Sequence, residues 1–314
     1  MKVYKNPNEI PEFKNAVITT GTFDGVHKGH QIIIEHIKDQ AKKINGESVI
    51  ITFEPHPRLI LHPEETGLKI LSTPDEKIEK LSALGIDHLV IYPFTLAFSQ
   101  MSAKDYVYHF LKEKFDPKII VIGYNHYFGH HRDGSIELLR KLAPELGFEV
   151  EEIPRQLVDD IEVSSTKIRI ALIEGDIERA THLLNSYYPL TGTVVDGDKI
   201  GRTLGYPTAN IVLDDIYKLI PTDGVYAAFA YVRNKKYNAM VSIGNRPTLN
   251  GSKHLIEANL IDFNEQIYGE RLKLEFVSKL RNQEKFDSLD LLKQKIDADK
   301  KATIAIMQKI SSQG

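Results

Sequence analysis

The segment Gly21-Thr22-Phe23-Asp24-Gly25-Val26-His27-Lys28-Gly29-His30 combines glycines with two histidines at the start of an apolar-periodic stretch. Glycines let a backbone come close to a ligand. A helix opening here would offer free N–H groups and partial positive charge to a phosphate. His27 and His30 are three residues apart and share a face at the helix start. From there they could donate hydrogen bonds to a nucleotide phosphate as charge builds in a transition state. The plainer reading is a glycine turn followed by two capping histidines.

A second candidate is Val163-Ser164-Ser165-Thr166-Lys167-Ile168-Arg169, ahead of a stretch that reads as helix to Gly175. Hydroxyls at a helix start can cap it. Ser164, Ser165 and Thr166 could instead hold a triphosphate, with Arg169 neutralising a departing pyrophosphate. The third candidate is Gly192 to Gly197 followed by Gly201-Arg202-Thr203-Leu204-Gly205-Tyr206-Pro207-Thr208-Ala209-Asn210. Two glycine-bearing turns frame a Pro-Thr-Ala-Asn tetrapeptide, and GxxxxGK[ST] is missing, which excludes a Walker-type kinase. On an extended segment Thr208 and Asn210 face one side. A hydroxyl and an amide oxygen are hard ligands that suit Mg²⁺ bridging nucleotide phosphates. A turn with a strand-edge threonine is the alternative. His56, His126, His130 and His131 have no carboxylates or cysteines at ligand spacing, which argues against a dedicated zinc site.

These residues need two kinds of scaffold. Up to about Asn185, short apolar runs alternate with amphipathic stretches. Strands are expected over Ala16–Thr20, Ser48–Phe53, Leu89–Tyr92, Ile119–Ile122 and Phe148–Ile153. Helices are expected over Gly29–Ile44, Pro74–Leu84, Ala103–Lys114 and Ile136–Leu146. That alternation predicts a Rossmann-like α/β domain with a parallel sheet covered on both faces. After a junction at Tyr187-Tyr188-Pro189 the segments become short, rich in Val, Tyr and Ile, and separated by turn signals such as Asp196-Gly197, Arg233-Asn234 and Gly244-Asn245. Strands over Tyr226–Val232, Ala239–Ile243, Glu257–Ile261 and Leu272–Phe276 predict an antiparallel β-barrel. A charged amphipathic helix, Leu289–Ile310, closes the chain. The expected domains are 1–186 and 187–314.

The 314 residues suit two domains, each large enough for its own core. A net charge of −3 shows no basic footprint for nucleic acid. The absence of cysteine excludes disulfides, thiolate nucleophiles and cysteine-held zinc. Met1–Pro11 is charged and broken by proline, unlike a signal peptide, and the apolar runs fall far short of the ~18 residues that span a bilayer. A cytoplasmic location without membrane partners is the expectation, and weak homo-oligomerisation is left open.

GTFDGVHKGH, Thr52-Phe53-Glu54-Pro55-His56-Pro57, Gly123-Tyr124-Asn125-His126-Tyr127-Phe128-Gly129 and SSTKIR occur in this order. Together they resemble the prokaryotic bifunctional FAD synthetase family, within the HxGH nucleotidylyltransferases. The resemblance covers Val17 to Ile310. It implies that the first domain transfers AMP from ATP to FMN, with Gly21, Thr22, Phe23, Asp24 and Gly25 in the ATP loop. It implies further that His27 and His30 contact ATP phosphates, while Ser164, Ser165, Thr166 and Arg169 complete the grip. Many relatives carry Asp-Phe where this chain has Asn125-His126, which makes the flavin- and metal-side role of Asn125 a point to test.

GRTLGYPTAN, Gly224-Val225-Tyr226, Ser242-Ile243-Gly244-Asn245-Arg246-Pro247-Thr248, Ile256-Glu257-Ala258-Asn259 and Tyr268-Gly269-Glu270 resemble riboflavin kinases. That family folds as a six-stranded barrel. By resemblance Thr208 and Asn210 bind Mg–ATP, Gly192, Gly201 and Arg202 lie in the nucleotide loop, and Glu257 is the general base. The implied ligands are riboflavin, FMN, FAD, ATP and Mg²⁺. Three alternatives stay open: an HxGH transferase for another substrate fused to an unrelated barrel, a chain in which the kinase alone works, and a flavin- or nucleotide-binding regulator without turnover.

Overall fold

The computed structural model describes residues 1–62, 67–123, 126–153, 163–197, 201, 205–248 and 251–312, with the backbone alone at 246–248 and 251–253. Contacts divide the chain into two compact units, Met1–Ser165 and Thr166–Gly314.

The first unit is built on six parallel strands: β1 (Lys2–Tyr4), β2 (Val17–Thr20), β3 (Ser48–Glu54), β4 (His88–Pro93), β5 (Ile119–Gly123) and β6 (Glu149–Ile153). Their order is β1-β4-β3-β2-β5-β6. The chain runs outward from β2 through β3 to β4, then continues on the other side of β2 with β5 and β6. The switch point therefore lies between β2 and β5, where an open α/β sheet holds ligands beyond its strand ends. Successive residues of β2 feed opposite faces, and both faces are covered. Ile18 joins a cluster with Val49, Phe110 and Ile120, whereas Val17 joins Ile34, Ile37 and Leu89. Each fully buried Ile contributes roughly 1.5–3 kcal/mol. The helix Lys28–Lys43 buries Ile34, Ile37 and Ala41, while Ile33 and Ile44 of the predicted stripe Ile33, Ile37, Ala41 and Ile44 pack partly buried against the same cluster. The helix Pro74–Ala83 starts with a capping box between Thr73 and Glu76.

Two departures have physical causes. The short edge strand β1 is too brief and too charged to show a period. The expected helix Ala103–Lys114 widens into π-helical turns over Tyr106–Lys112. Tyr106, Val107, Phe110 and Leu111 are all buried there, a wider apolar face than a regular turn of helix presents.

The second unit centres on a closed antiparallel barrel of order β10-β11-β8-β7-β12-β9. Its strands are β7 (Tyr188–Val195), β8 (Ala209–Leu213), β9 (Gly224–Val232), β10 (Lys235–Thr248), β11 (Gly251–Leu260) and β12 (Arg271–Arg281). Arg233 (φ 49°) and Asn234 (φ 61°) turn β9 into β10, with the positive φ pair that a tight two-residue hairpin requires. β7 alternates buried and half-buried residues throughout, so Tyr188 and Pro189 belong to the barrel wall and not to a junction. Gly244-Asn245 likewise lies within β10 and makes no turn. The helix Leu289–Ser311 covers an outer face of the barrel, where Met307 packs with Ala227, Phe229 and Val277. The Arg281 guanidinium meets the Asp299 carboxylate through three hydrogen bonds of 2.9–3.1 Å, pinning the helix to β12.

Candidate active sites

The first site begins where β2 ends. Gly21 donates its N–H to the Ile51 carbonyl (3.0 Å), holding the departing chain against β3. The loop then turns through positive φ at Phe23 (46°), Gly25 (83°) and Val26 (41°). Two of these are side-chain-bearing residues, a conformation that persists only where neighbours over-determine it. The buried Asp24 carboxylate accepts from the N–H groups of Leu71 (2.8 Å) and Ser72 (3.1 Å), and Gly25 N–H donates to Ser72 Oγ (3.1 Å). Lys77 Nζ donates to the Thr22 carbonyl (2.8 Å) and to Thr52 Oγ1 (3.2 Å). Lys80 Nζ donates to the Gly25 carbonyl (2.9 Å).

His27 is the N-cap of the helix Lys28–Lys43, and its Nδ1 accepts from His30 N–H (3.4 Å). The two rings stack at 3.7 Å between centroids. Capping and pairing thus coexist at one helix mouth. His30 is partly buried, its Nδ1 is sealed from solvent without a protein partner, and Phe23 packs 5.0 Å from it. Burial first, then His27, Lys77 and Lys80, push the His30 imidazole well below its ordinary pKa. A Cβ on Gly29 would stand 3.1 Å from Val163 and 3.3 Å from His27, so the glycine keeps the ring pair close to the helix.

Ser165 opens the helix Ser165–Glu174, and its Oγ donates to the Asp24 carbonyl (3.0 Å). The serine motif therefore reaches the glycine-rich loop through a hydroxyl. Ser164 precedes this helix, and Thr166 and Arg169 lie in its first turns. Asn125 falls outside the described residues. Its neighbour His126 joins the loop after β5 to the end of β2: Thr20 Oγ1 and His126 Nε2 are 3.2 Å apart, and the Tyr106 hydroxyl donates to Thr20 Oγ1 (3.3 Å). Burial, with Arg132 second, lowers the His126 pKa to about 4. Among the other histidines, His56 caps the short helix Pro57–Leu61, and His130 lies 3.7 Å from His131, ring to ring.

The second site follows from strand register. Glu257 on β11 pairs with Asn210 on β8 on one side and Ser242 on β10 on the other. Asn210 in turn pairs with Val195 on β7. Ser242, Glu257 and Asn210 thus form a row on the outward side, because Ile256 and Ala258 alternate inward with Ile211. Gln283 Nε2 donates to Ser242 Oγ (2.9 Å) at one end of the row. At the other, Asn259 Nδ2 donates to the Pro207 carbonyl (2.7 Å), and the Tyr206 hydroxyl bonds to Asp297 of the final helix. Thr208 is half-buried one residue before β8. A Cβ on Gly197 would fall 2.0 Å from Asn210 Nδ2, so the turn after β7 lies directly on that amide.

Gly192 corrects an expectation. It sits inside β7 and not in a loop, where a Cβ would lie 2.4 Å from the Val212 carbonyl. The close approach that needs glycine is to the neighbouring strand. Gly201 is held against its own loop, accepting from Tyr206 N–H (2.8 Å). Arg202 lies outside the described residues. A cavity of about 280 Å³ adjoins Thr208, bounded by Pro207, Ala209, Ala258, Phe263 and Tyr268. Sequence reading missed Leu71, Ser72, Lys77 and Lys80 as site-shaping residues. The one readable trace is that Lys77 and Lys80 are three apart and share a helix face.

Comparisons with known proteins match both halves of the chain. A family model described as FAD synthetase matches residues 9–167, and one described as riboflavin kinase matches residues 184–307. The chain is 36% identical over 313 residues to a bifunctional riboflavin kinase/FMN adenylyltransferase of Buchnera aphidicola from Acyrthosiphon pisum, covering 98% of each chain. It is 35% identical over 297 residues to the protein of that name from Listeria monocytogenes, covering 94% of each. The Escherichia coli K12 protein of that name is 31% identical, with 94% of this chain and 93% of that one covered. A crystal structure named Macrolide-efflux Protein from Streptococcus pneumoniae superposes with a TM-score of 0.85 at 34% identity, covering 96% of this chain and 98% of that one. Among the described residues no helix is long and apolar enough to cross a membrane. With both sites built, both family models matched and full-length relatives in agreement, the chain belongs to the bifunctional riboflavin kinase/FMN adenylyltransferase family, and it makes FMN and FAD.

Proposed function

We propose that the two reactions run at the two sites just described, with residues 1–186 carrying adenylyl transfer and 187–314 carrying phosphorylation. At the first, the FMN phosphate attacks the α-phosphorus of ATP in line, the bond to the β-phosphate breaks, and pyrophosphate leaves with its electron pair. No covalent enzyme intermediate is needed, so catalysis is positioning and charge stabilisation. His27 and His30 donate to the reacting phosphate. Ser164, Ser165, Thr166 and Arg169 take the rest of the triphosphate, and the loop holding Asn125 borders FMN.

At the second site Glu257 takes the proton of the ribityl 5′-hydroxyl as that oxygen attacks the γ-phosphorus, and ADP departs. Thr208 and Asn210 would suit a magnesium ion carried by the nucleotide, since a hydroxyl and an amide offer hard neutral oxygens. When bound, that ion spreads the charge on the transferring phosphoryl group. The cavity beside Thr208 suits the nucleoside end of ATP, with Phe263 and Tyr268 as apolar walls. ATP, riboflavin, FMN and FAD are the ligands of this reading, and cytoplasm, where ATP is plentiful, is its location.

The observation that carries the reading is that Glu257 stands in register with Asn210, one strand from the proposed magnesium side chains. Product chromatography from riboflavin, ATP and Mg²⁺ tests it. Glu257→Gln is expected to abolish FMN formation while FMN supplied directly still becomes FAD. Equal loss of both conversions would end the two-site assignment.

A further inference from the structure

The helix Pro74–Ala83 places Lys77 and Lys80 three residues apart on one face. Their ammonium groups donate to the carbonyls of Thr22 (2.8 Å) and Gly25 (2.9 Å), which are also three residues apart, on the turn that leads to the histidine pair. A solvated lysine face on a surface helix would not match a loop in this way. Lys77 is only 5% exposed, and burying an ammonium is costly unless it is bonded and balanced. Its bonds go to Thr22 O and Thr52 Oγ1, and the Asp24 and Glu54 carboxylates oppose the effect of burial on its charge.

We propose that Lys77 and Lys80 are positioning residues for FAD formation, a two-point clasp that fixes the strained loop through its carbonyls and sets positive charge beneath the histidine pair. The inference rests on the assignment of adenylyl transfer to that loop. The clasp acts in two ways. First, the Thr22–Phe23 peptide is trans, so a carbonyl turned toward Lys77 turns the Phe23 N–H the opposite way. The lysine thereby orients a backbone dipole in a loop whose φ values are otherwise unfavourable at Phe23 and Val26. Second, among the described residues the charged groups that face His30 are His27 from its own loop and Lys77 and Lys80 from the helix. Burial first, and then these neighbouring cations, favour the neutral imidazole. The histidine pair then works as neutral hydrogen-bond donors, and the charge that balances the phosphates is supplied by the lysines below. Neutral rings do not repel each other at the observed stacking distance.

The test uses the full-length enzyme, whose kinase reaction reports that the second unit is intact, while a thermal melt of the first unit reports on folding around the substitutions. Lys77→Gln keeps a hydrogen-bond donor and removes the charge. It is expected to slow FMN-to-FAD turnover on the order of 10- to 100-fold, the usual scale for losing a residue that orients the reacting groups. Riboflavin phosphorylation should be unchanged. Lys80→Gln, less buried, should cost several-fold. The imidazole ¹⁵N titration of His30 should move upward in Lys77→Gln and stay in place in Lys77→Arg, which keeps the charge, whereas mere loosening of the loop would expose the ring and move it upward in both. Wild-type FAD turnover in both lysine variants, with His30→Ala inactive, would overturn the clasp and leave the site standing. Full FAD turnover in His30→Ala would instead overturn the site assignment. If Lys77→Gln loses the kinase reaction as well, Lys80→Gln decides, and unaltered FAD turnover there rejects the clasp. An unmoved His30 titration beside lost turnover would reject the charge role.

Discussion

The two sites reach order by different routes. The glycine-rich loop after β2 is over-determined from outside itself: Asp24 is held by two backbone N–H groups, Thr22 and Gly25 by two lysines, and the histidines by a helix mouth. The barrel row of Ser242, Glu257 and Asn210 needs little support of that kind. A closed barrel fixes neighbours by register, so side chains on adjacent strands are aligned wherever the strands go. A loop ligand site has no ladder to rely on and must recruit buried polar groups at long sequence range. The lesson is where fragility lies: in the first unit at the clamps, in the second at whatever holds strands, turns and the last helix together.

That contrast can be broken in four places. Asp299→Ala would leave the half-sealed Arg281 guanidinium without its carboxylate and should cost the second unit about 3 kcal/mol, at the low end for a broken buried pair. Urea unfolding followed by kinase loss would measure it, and a cost below 1 kcal/mol would place the fastening of the last helix elsewhere. Asp24→Ala would strand two buried N–H donors, at about 2 kcal/mol. FAD formation should fall while phosphorylation persists, and equal decline of both would erase the difference drawn between the sites.

Gly197→Ala sharpens the other side. Its new methyl must displace the Asn210 amide, so the KM for Mg–ATP in phosphorylation should rise about tenfold, or about 1.4 kcal/mol. An unchanged KM would detach Asn210 from the nucleotide. The smallest effect concerns His126. Its folded pKa of about 4 lies below the ordinary 6.5, so the unfolded chain binds more protons between those values and stability falls as pH drops through that window. Because the residue keeps some exposure, the loss should be about 1 kcal/mol. His126→Phe should remove that slope in thermal melts of the first unit, and an unaltered slope would assign it to another group.

Much of this was legible beforehand, and the reasons are specific. Ile33, Ile37, Ala41 and Ile44 at helical spacing and the glycine-rich run before them predict the strand–loop–helix that carries His27 and His30, because both signals are local. Arg233-Asn234 predicts a hairpin for the same reason. The lysine clasp joins residues 55 positions apart, and its helix reads as an ordinary charged surface helix. Gly192 and Gly244 read as turn residues, yet both lie within barrel strands, where crowding by a neighbour calls for glycine as readily as a turn does. The pairing of Glu257 with Asn210 is a matter of register, set by strands that the tetrapeptide alone does not reveal.

A ring of six strands that closes on itself has no outermost member, so every wall segment already has a neighbour on each flank. Among the described residues the open sheet of the first unit does end, at the brief β1 and at β6, where Glu149 is exposed and Glu151 and Glu152 meet His36 and Arg140. Each unit is thereby guarded against templating a foreign strand, one by geometry and the other by a brief edge and by charged side chains along its far edge.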